Sequence, residues 1–293
     1  MQQGFDIGII GERINPGFKS TRALFDNEDL AGIQALAVKQ AEAGARYLNV
    51  NIGARALTDS AWMARVIGAI QEAVALPLSF DFPGKAVQEA CLAAYDPARA
   101  DGALPIVNSI TEHRWDLMEL YDRYRFKVIL MASERVEDGV ARNNKTAPEI
   151  YATARRAALR LRDDYGMPLE HVFLDLSVSA IVADTEGLNR STIEAIRLIG
   201  ADPELAGVHM MGGLSNIGQQ LPPKAADGSD LKHGLENAFL TLTVPHGFDY
   251  VLGTPWRGYA PLAEDHYVLA AYRHFLAQSG SNALRAVRKF YRA

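Results

Sequence analysis

Polar side chains stand at the ends of several apolar, strand-length runs in this chain. The third run ends at Asp81 and the fourth at Asn108, and Asp175 lies next to the end of the sixth. Asn51 lies at the end of the second run, and Asn216 follows the seventh. An ionised aspartate only accepts hydrogen bonds, whereas an asparagine amide both donates and accepts. Such a mixture suits a flat heterocycle with N–H donors beside carbonyl acceptors, and it suits a polyanion poorly.

Each of these residues, taken alone, has an ordinary structural explanation, because Asp and Asn after a strand often cap the next helix or bind a loop amide. As a set they are more informative. If the strand ends converge on one axis, several amides and the carboxylates of Asp81 and Asp175 share one cavity. Burying that much polarity without partners is costly, so a hydrogen-bonding ligand is expected there. The 2-amino-4-oxo-pyrimidine edge of a pterin has the required donors and acceptors.

The apolar runs alternate with helical patterns, and there are eight of each. The predicted strands are Ile7–Ile10, Tyr47–Ile52, Leu76–Asp81, Leu104–Asn108, Phe126–Met131, Val172–Leu176, Val208–Met211 and Tyr250–Leu252. The helix predicted after the fourth strand is Glu112–Tyr124. Eight strand–helix units are typical of the (β/α)8 TIM barrel, an α/β fold. The sequence contains no G-x-G-x-x-G or G-x-x-x-x-G-K-[ST] phosphate loop, which argues against the competing doubly wound sheet.

Three long segments are predicted to be irregular, namely Ala132–Ala147, Ser177–Arg190 and Gly212–Ser229. They follow the fifth, sixth and seventh strands, so a barrel would place all three at its C-terminal mouth, where such folds carry their chemistry. The sequence has no low-complexity linker that would divide it. We therefore predict one domain, residues 1–293, with the barrel over about 5–280 and a C-terminal helical extension over 281–293.

Composition excludes several classes of function. Hydrophobic residues make up 48% of the chain, enough for a sizeable core, and the net charge of −5 argues against a nucleic-acid partner. The lone cysteine, Cys91, excludes an intramolecular disulfide. The seven histidines form no H-x-H or H-E-x-x-H pattern, so no bound metal is expected. With no run approaching 18 apolar residues and no recognisable signal peptide, a cytoplasmic protein without a membrane partner is expected.

Two motifs add specificity to this pattern. Ile10-Gly11-Glu12-Arg13-Ile14-Asn15 follows the first strand and Gly213-Leu214-Ser215-Asn216 follows the seventh, with Asn49-x-Asn51-x-Gly53, Asp81, Asn108-Ser109 and Asp175 between them. In this order they resemble the pterin-binding methyltransferase family, over residues 7 to about 280. That family includes the methyltetrahydrofolate:corrinoid/iron–sulfur protein methyltransferase of acetogens and the folate domain of cobalamin-dependent methionine synthase. Dihydropteroate synthase is a more distant relative.

The resemblance implies a role for each matching residue. Asp81, Asn108 and Asp175 match the positions that bind the pyrimidine edge of the pterin. Asn216 matches the asparagine that reaches N5 of the folate, so Asn216 and Asp175 are the implied catalytic residues. The implied folate-binding set is Asp81, Asn108, Asp175, Asn216, Asn51, Asn15, Glu12, Gln219 and Lys224, with Asn15 and Glu12 closing the floor of the site. At Asn49, where relatives often carry Asp, this chain lacks one negative charge.

The implied reaction moves a methyl group between N5 of tetrahydrofolate and the cobalt of a corrinoid (cobalamin), with tetrahydrofolate or 5-methyltetrahydrofolate as substrate. The cobalt-ligating D-x-H-x-x-G loop of cobalamin domains is absent from the sequence, so the corrinoid is expected on a separate protein that docks over the barrel mouth. Because asparagine cannot supply a proton at neutral pH, N5 is expected to receive one through water linking Asn216 and Asp175. The resemblance also implies a homodimer.

Two alternatives remain open. A dihydropteroate synthase-like condensing enzyme would share the fold, but relatives of that kind carry Ser-Arg-Lys after the seventh strand, where this chain has Ser215-Asn216-Ile217. A non-catalytic folate-binding scaffold would need only Asp81, Asn108 and Asp175, which would leave Asn216 without a function.

Overall fold

Eight parallel strands close into a barrel in the computed structural model of this chain, which describes residues 4–292. The ten strands are β1 (Gly8–Ile14), β2 (Tyr47–Val50), β3 (Leu78–Asp81), β4 (Ile106–Ile110), β5 (Lys127–Met131), β6 (Glu134–Glu137), β7 (Val140–Asn143), β8 (Val172–Asp175), β9 (His209–Gly213) and β10 (Phe248–Gly253). Around the barrel the order is β1-β10-β9-β8-β5-β4-β3-β2, and β6 and β7 form a separate hairpin. The predicted single-domain (β/α)8 barrel is confirmed.

Helices pack around this barrel and run back from its mouth. They are α1 (Arg22–Asp26), α2 (Leu30–Glu42), α3 (Ser60–Ala73), α4 (Lys85–Ala94), α5 (Ala147–Tyr165), α6 (Leu188–Gly200), α7 (Leu231–Thr243), α8 (Tyr267–Leu276) and α9 (Gly280–Lys289). Local sequence fixes several of their ends. Asp59 caps α3 by accepting from the Trp62 amide at 2.8 Å, and Gly166 ends α5 in the left-handed conformation that glycine favours.

The barrel interior is filled at its lower end by one apolar layer. Its fully or almost fully buried members are Ile10, Tyr47, Ile106, Ile129, Phe173, Met211 and Tyr250. The rings of Tyr47 and Tyr250 meet that of Phe173 edge to face, with centroids 5.8 and 4.9 Å from its centroid. Since side chains on one face of a strand recur every second residue, the next inward positions lie two residues nearer the mouth. The side chains at these next inward positions therefore pack on top of the apolar layer.

The segment Glu112–Tyr124 does not form the predicted α-helix, and this prediction was wrong. It contains a 3₁₀ helix, Trp115–Leu120, with turns on either side. Its buried side chains fall at three-residue spacing, as in the pairs Leu117 with Leu120 and Met118 with Tyr121. That spacing matches the three residues per turn of a 3₁₀ helix, so the hydrophobic pattern favours the tighter winding.

The segment Ala132–Ala147 is not irregular throughout, contrary to the prediction, because it carries the β6–β7 hairpin. Asp138 and Gly139 join the two strands, both with positive φ (52° and 75°). Asp-Gly is the sequence that favours this type of tight turn. The hairpin stands above β5, at the mouth of the barrel.

The C-terminal end of the described chain is helical. The helix α9 follows α8, and Phe290 packs against Phe275 of α8 with ring centroids 6.5 Å apart. The domain limits remain a prediction, and residues 1–3 and 293 lie outside the described part of the chain. Among residues 4–292, no helix is both long and apolar enough to cross a membrane.

Candidate functional site

A polar layer lies directly above the apolar layer of the barrel. Asn49 comes two residues after Tyr47, Asn108 two after Ile106 and Asp175 two after Phe173, so all three face the barrel interior. In the sheet, Asp81 is the register partner of Asn108. We define this polar layer by Asn49, Asp81, Asn108 and Asp175. The structure therefore brings together the three residues predicted to bind the pyrimidine edge.

Asn49 is the centre of the hydrogen bonds in this layer. Its Nδ2 donates to Asp81 Oδ2 at 3.2 Å, and its Oδ1 accepts from Asn108 Nδ2 at 3.3 Å. The buried hydroxyl of Ser79 also donates to that Oδ1, at 3.1 Å. The Nδ2 of Asn49 can only donate and its Oδ1 can only accept. These hydrogen bonds therefore determine which side-chain atoms of Asp81 and Asn108 remain free to bind a ligand.

Asn51 supports Asp81 from the end of β2. Its Nδ2 donates to the Asp81 carbonyl at 3.1 Å and lies 3.4 Å from Asp81 Oδ2. Its Oδ1 accepts from the Gly53 amide at 2.7 Å, where the chain turns with a positive φ of 68°. Both polar groups of Asn51 are therefore committed to protein partners, and the residue orients Asp81.

Asp175 lies beside Asp81 in a poorly solvated position. Its Oδ1 accepts from the Ser177 amide at 2.8 Å. Burial raises the pKa of the Asp175 carboxyl to about 6, with a smaller contribution from the negative charge of Asp81, while the Ser177 bond acts in the opposite direction. Asp175 can therefore take up a proton under mildly acidic conditions.

The atoms left free in the polar layer are mainly acceptors. Asp81 Oδ1, Asp175 Oδ2 and Asn108 Oδ1 have no hydrogen-bond partner among residues 4–292. These three residues are only partly buried, so their free oxygens are open to the mouth of the barrel. A ligand that presents several N–H groups to this layer would satisfy these oxygens.

Asn216 reaches the same region from the end of β9. It ends a 3₁₀ turn, Leu214–Asn216, and its Nδ2 lies 3.2 Å from the position that a Cβ on Gly213 would occupy. Gly213 comes two residues after Met211 of the apolar layer, so this space belongs to the level of the polar layer. Gln219 Nε2 donates to Asn216 Oδ1 at 2.7 Å, which leaves the Asn216 Nδ2 as the free donor.

Glu12 is buried beneath the loops that follow β9 and β10. Its two carboxylate oxygens accept from Ser215 Oγ at 3.2 Å and from Thr254 Oγ1 at 3.0 Å. Burial raises the pKa of the Glu12 carboxyl, and these two hydrogen bonds oppose that change. Both oxygens have protein partners, so the geometry favours a supporting role for Glu12.

Asn15 and Lys224 are not joined to the polar layer by any hydrogen bond between described residues. Asn15 Oδ1 accepts from the Gly17 amide at 2.7 Å and its carbonyl oxygen from the Thr21 hydroxyl, so its contacts hold the loop after β1. Lys224 is exposed and pairs through its backbone with Asp230. Direct contacts of Asn15 and Lys224 with a pterin remain predictions.

Two residues that sequence reasoning did not place in the site have clear supporting roles. Asn49 was noted only as a missing charge, yet it connects Asp81 with Asn108. Gln88 on α4 is fully buried, and its Nε2 donates to the carbonyls of Phe80 and Phe82 at 2.8 and 2.7 Å. A glutamine at a core position of an amphipathic helix was the available signal.

A cavity of about 350 Å³ lies between the segment that follows β8 and the segment that follows β7. Ser177, which binds Asp175, contributes to its wall, and the loop after β7 forms the opposite side. Lys145 and Glu186 lie across this cavity from each other and form an ion pair of 2.9 Å. Among residues 4–292, no group of three or more His, Cys, Asp or Glu side chains could hold a metal ion.

Comparison with known proteins agrees with this geometry. The family model described as pterin binding enzyme matches residues 12–252. The chain is 26% identical over 252 residues to the methylcorrinoid:tetrahydrofolate methyltransferase of Eubacterium limosum, covering 84% of each sequence.

Solved structures with the same fold include two dihydropteroate synthases. The enzyme of Clostridium difficile, solved in the presence of pteroic acid, is 19% identical with a TM-score of 0.58, covering 98% of this chain and 97% of that one. The enzyme of Xanthomonas albilineans, in complex with 7,8-dihydropteroate, is 18% identical with a TM-score of 0.57, covering 92% and 94%. At these identities the likeness establishes the fold alone. With the family model matching most of its length, the chain belongs to the family of pterin binding enzymes.

Proposed function

We propose that this protein transfers a methyl group between N5 of tetrahydrofolate and the cobalt of a corrinoid carried by a separate protein. The observation that carries the proposal is the set of free acceptors in the polar layer combined with the free donor of Asn216. The name of the relative from Eubacterium limosum, which includes both methylcorrinoid and tetrahydrofolate, supports it.

The pterin ring would lie across the polar layer with its pyrimidine edge toward the free acceptors. Its 2-amino group and N3–H are donors, and the free oxygens of Asp81 and Asp175 are suited to accept from them. Asn49 and Asn51 hold Asp81 in place before the ligand arrives, which lowers the entropic cost of binding. The proposed fit thus needs no rearrangement of the Asp81 side chain.

Asn216 is the residue proposed to act at N5. Because Gln219 occupies its Oδ1, its Nδ2 is left to hydrogen-bond the N5 lone pair. When the methyl group leaves N5, the N–C bond breaks, and N5 keeps the electron pair and gains a proton. Asparagine cannot supply this proton, but Asp175, whose pKa is about 6, can exchange one through bridging water. The corrinoid supplies the cobalt that accepts or donates the methyl group.

The partner protein is proposed to dock over the mouth of the barrel. Asn216 and Gln219 are exposed there, so the reacting end of the folate would remain accessible to a second macromolecule. Docking would bring the two reactants into line and exclude bulk water, which contributes much of the rate in such transfers. The homodimer implied by the family resemblance is also proposed, and analytical ultracentrifugation of the isolated chain tests it.

Mixing the protein with a methylated corrinoid protein and tetrahydrofolate tests the proposed reaction. We expect the visible spectrum of the corrinoid to change as its cobalt loses the methyl group, and 5-methyltetrahydrofolate to appear in equal amount. Binding of tetrahydrofolate without any turnover would support a folate-binding scaffold. Formation of dihydropteroate from pterin diphosphate and p-aminobenzoate would support a condensing enzyme. Either of the last two results would overturn the proposal.

A further inference from the structure

The carboxylate of Glu12 joins three strand ends that are far apart in the sequence. It projects from β1 and accepts from Ser215, which follows β9, and from Thr254, which follows β10. The hydrogen bond to Thr254 connects residues 242 positions apart, across the closure of the barrel. One buried side chain therefore holds the two loops that border the site on this side.

The groups around Glu12 form a second buried polar cluster, which no hydrogen bond between described residues joins to the four residues that define the polar layer. Glu236 on α7 is buried with an oxygen 3.2 Å from Arg257 Nε and 3.8 Å from His233 Nδ1. Tyr259 is also buried close by, and burial raises the pKa of its hydroxyl, with smaller contributions from the charges of Glu236 and Glu12. Arg13 lies next to Glu12 on β1 and contributes an opposite charge. The charge of Arg13 acts on Glu12 against that of Glu236, and neither residue occupies an acceptor oxygen of Glu12.

Besides the hydrogen bond from Gln219 to Asn216, the turn that carries Asn216 has few other side-chain restraints. Leu214 and Ile217 are fully buried and anchor its two ends. Between them Ser215 and Asn216 are exposed, and Ser215 is attached to the barrel through Glu12. Fixing Ser215 limits the backbone rotation that would move the neighbouring Asn216 amide.

We propose that Glu12 is a positioning residue, which ties the turn after β9 to the loop after β10 through Ser215 and Thr254 and so holds Asn216 at the mouth. This role differs from direct contact with the pterin. Its consequence for methyl transfer rests on the proposed function, whereas its consequence for the mobility of the turn does not.

The structure offers a matched set of variants for this proposal. Thr254→Val removes one hydrogen bond with little change in side-chain shape, at a residue that follows β10, whereas Asn216 follows β9. Ser215→Ala removes the other at an exposed residue, so the protein should fold even if the buried substitution is damaging. Thr243→Val is the control, because Thr243 is also buried but its hydroxyl donates to the Phe239 carbonyl within α7.

Amide hydrogen exchange of the peptide spanning residues 212–220 tests the proposal independently of activity. We expect exchange in Thr254→Val and Ser215→Ala to be at least about threefold faster than in the wild type, with Thr243→Val unchanged. Equal exchange in all four proteins would overturn the proposal, whatever the activity of the enzyme.

The rate of methyl transfer then tests whether the hydrogen bonds that Glu12 accepts from Ser215 and Thr254 affect catalysis through Asn216. We expect Thr254→Val to lower kcat by about three- to thirtyfold, with less than about a twofold change in KM for folate. In the Asn216→Ala background the same substitution should change kcat by less than about twofold, since residues that act through one another are not additive. Full additivity would overturn the proposal. Absence of methyl transfer in the wild type would instead contradict the proposed function and leave the exchange result to decide the role of Glu12.

Discussion

The Asn49 side chain donates to Asp81 Oδ2 at 3.2 Å while accepting from Asn108 Nδ2 at 3.3 Å. An asparagine can do both at once, whereas an ionised aspartate could only accept. The amide therefore hydrogen-bonds Asp81 without placing a second carboxylate against it. Asn49 therefore orients the Asp81 carboxylate through a hydrogen bond and adds no charge of its own.

Asn49→Asp should introduce a pH dependence above pH 6.5, a range in which the wild type has none. Two carboxylates in contact share one proton, and losing that proton as the pH rises creates repulsion. We expect the affinity for tetrahydrofolate to fall by about tenfold between pH 6.5 and pH 9 in the variant and to stay constant in the wild type. Isothermal titration calorimetry measures this, with Ser79→Ala as an uncharged control that removes one donor to the Asn49 oxygen. A variant with constant affinity over that range would show that Asn49 does not set the charge state of the site.

Asp175→Asn and Asp81→Asn should each weaken tetrahydrofolate binding, because each replaces an acceptor oxygen by an amide that also carries donors. A hydrogen bond to a charged group is worth about 1.5–3 kcal/mol, so we expect losses of about ten- to one-hundredfold at pH 8. Below about pH 6 the wild type should also lose affinity, since Asp175 becomes protonated. In Asp175→Asn that inflection should disappear. Unchanged affinity in both variants at pH 8 would refute the assignment of the pyrimidine edge.

Asp175 should also influence the stability of the ligand-free protein. Burial raises the pKa of its carboxyl in the folded state, from 3.8 to about 6, so the folded protein binds a proton more tightly than the unfolded chain. The contribution of Asp175 to the free energy of unfolding therefore decreases as the pH rises from about 4 to about 6 and stays at its lower value above that. Asp175→Asn should raise Tm at pH 8 and change it little at pH 4. Differential scanning calorimetry at both pH values checks this, and a lower Tm at pH 8 would contradict it.

Asn216→Ala should reduce turnover more than binding. Loss of one positioned polar contact in a transition state lowers the rate by about ten- to a thousandfold. We expect the Kd for tetrahydrofolate to change by less than about fivefold, since the polar layer is untouched. Stopped-flow spectroscopy of the corrinoid and equilibrium binding give the two quantities. Equal losses in both would show that Asn216 only holds the substrate.

The positions of the strands, and with them the polar layer, could be predicted from the sequence because side-chain direction alternates along a strand. The pattern places Asn108 two residues beyond Ile106 and Asp175 two beyond Phe173, and the closed parallel sheet brings these ends together. Contacts between strands could not be predicted in this way. The hydrogen bond from Asn49 to Asp81 depends on the register of β2 against β3, which neither strand encodes alone.

Three other features of the structure were not predicted from the sequence, each for a different physical reason. Glu12 and Thr254 meet only because β1 pairs with β10, so the role of Glu12 beneath two loops was beyond sequence patterns. The β6–β7 hairpin was predictable from Asp138-Gly139, but its short strands are exposed and lack the apolar alternation that marks a core strand. The 3₁₀ helix Trp115–Leu120 was taken for an α-helix because four buried residues fit either period over so short a segment.

The comparison of two synthetic ligands tests the central claim most directly. In 6-methyltetrahydropterin the pyrimidine ring carries a 2-amino donor, which 6-methyltetrahydrolumazine replaces by a carbonyl acceptor. The free oxygens of Asp81, Asp175 and Asn108 are proposed to face this edge. The carbonyl of the lumazine would then lie against acceptors without a hydrogen atom to form a hydrogen bond. We predict by isothermal titration calorimetry that the lumazine binds at least about a hundredfold more weakly. Equal affinities for the two ligands would mean that the polar layer does not bind the pyrimidine edge of a pterin.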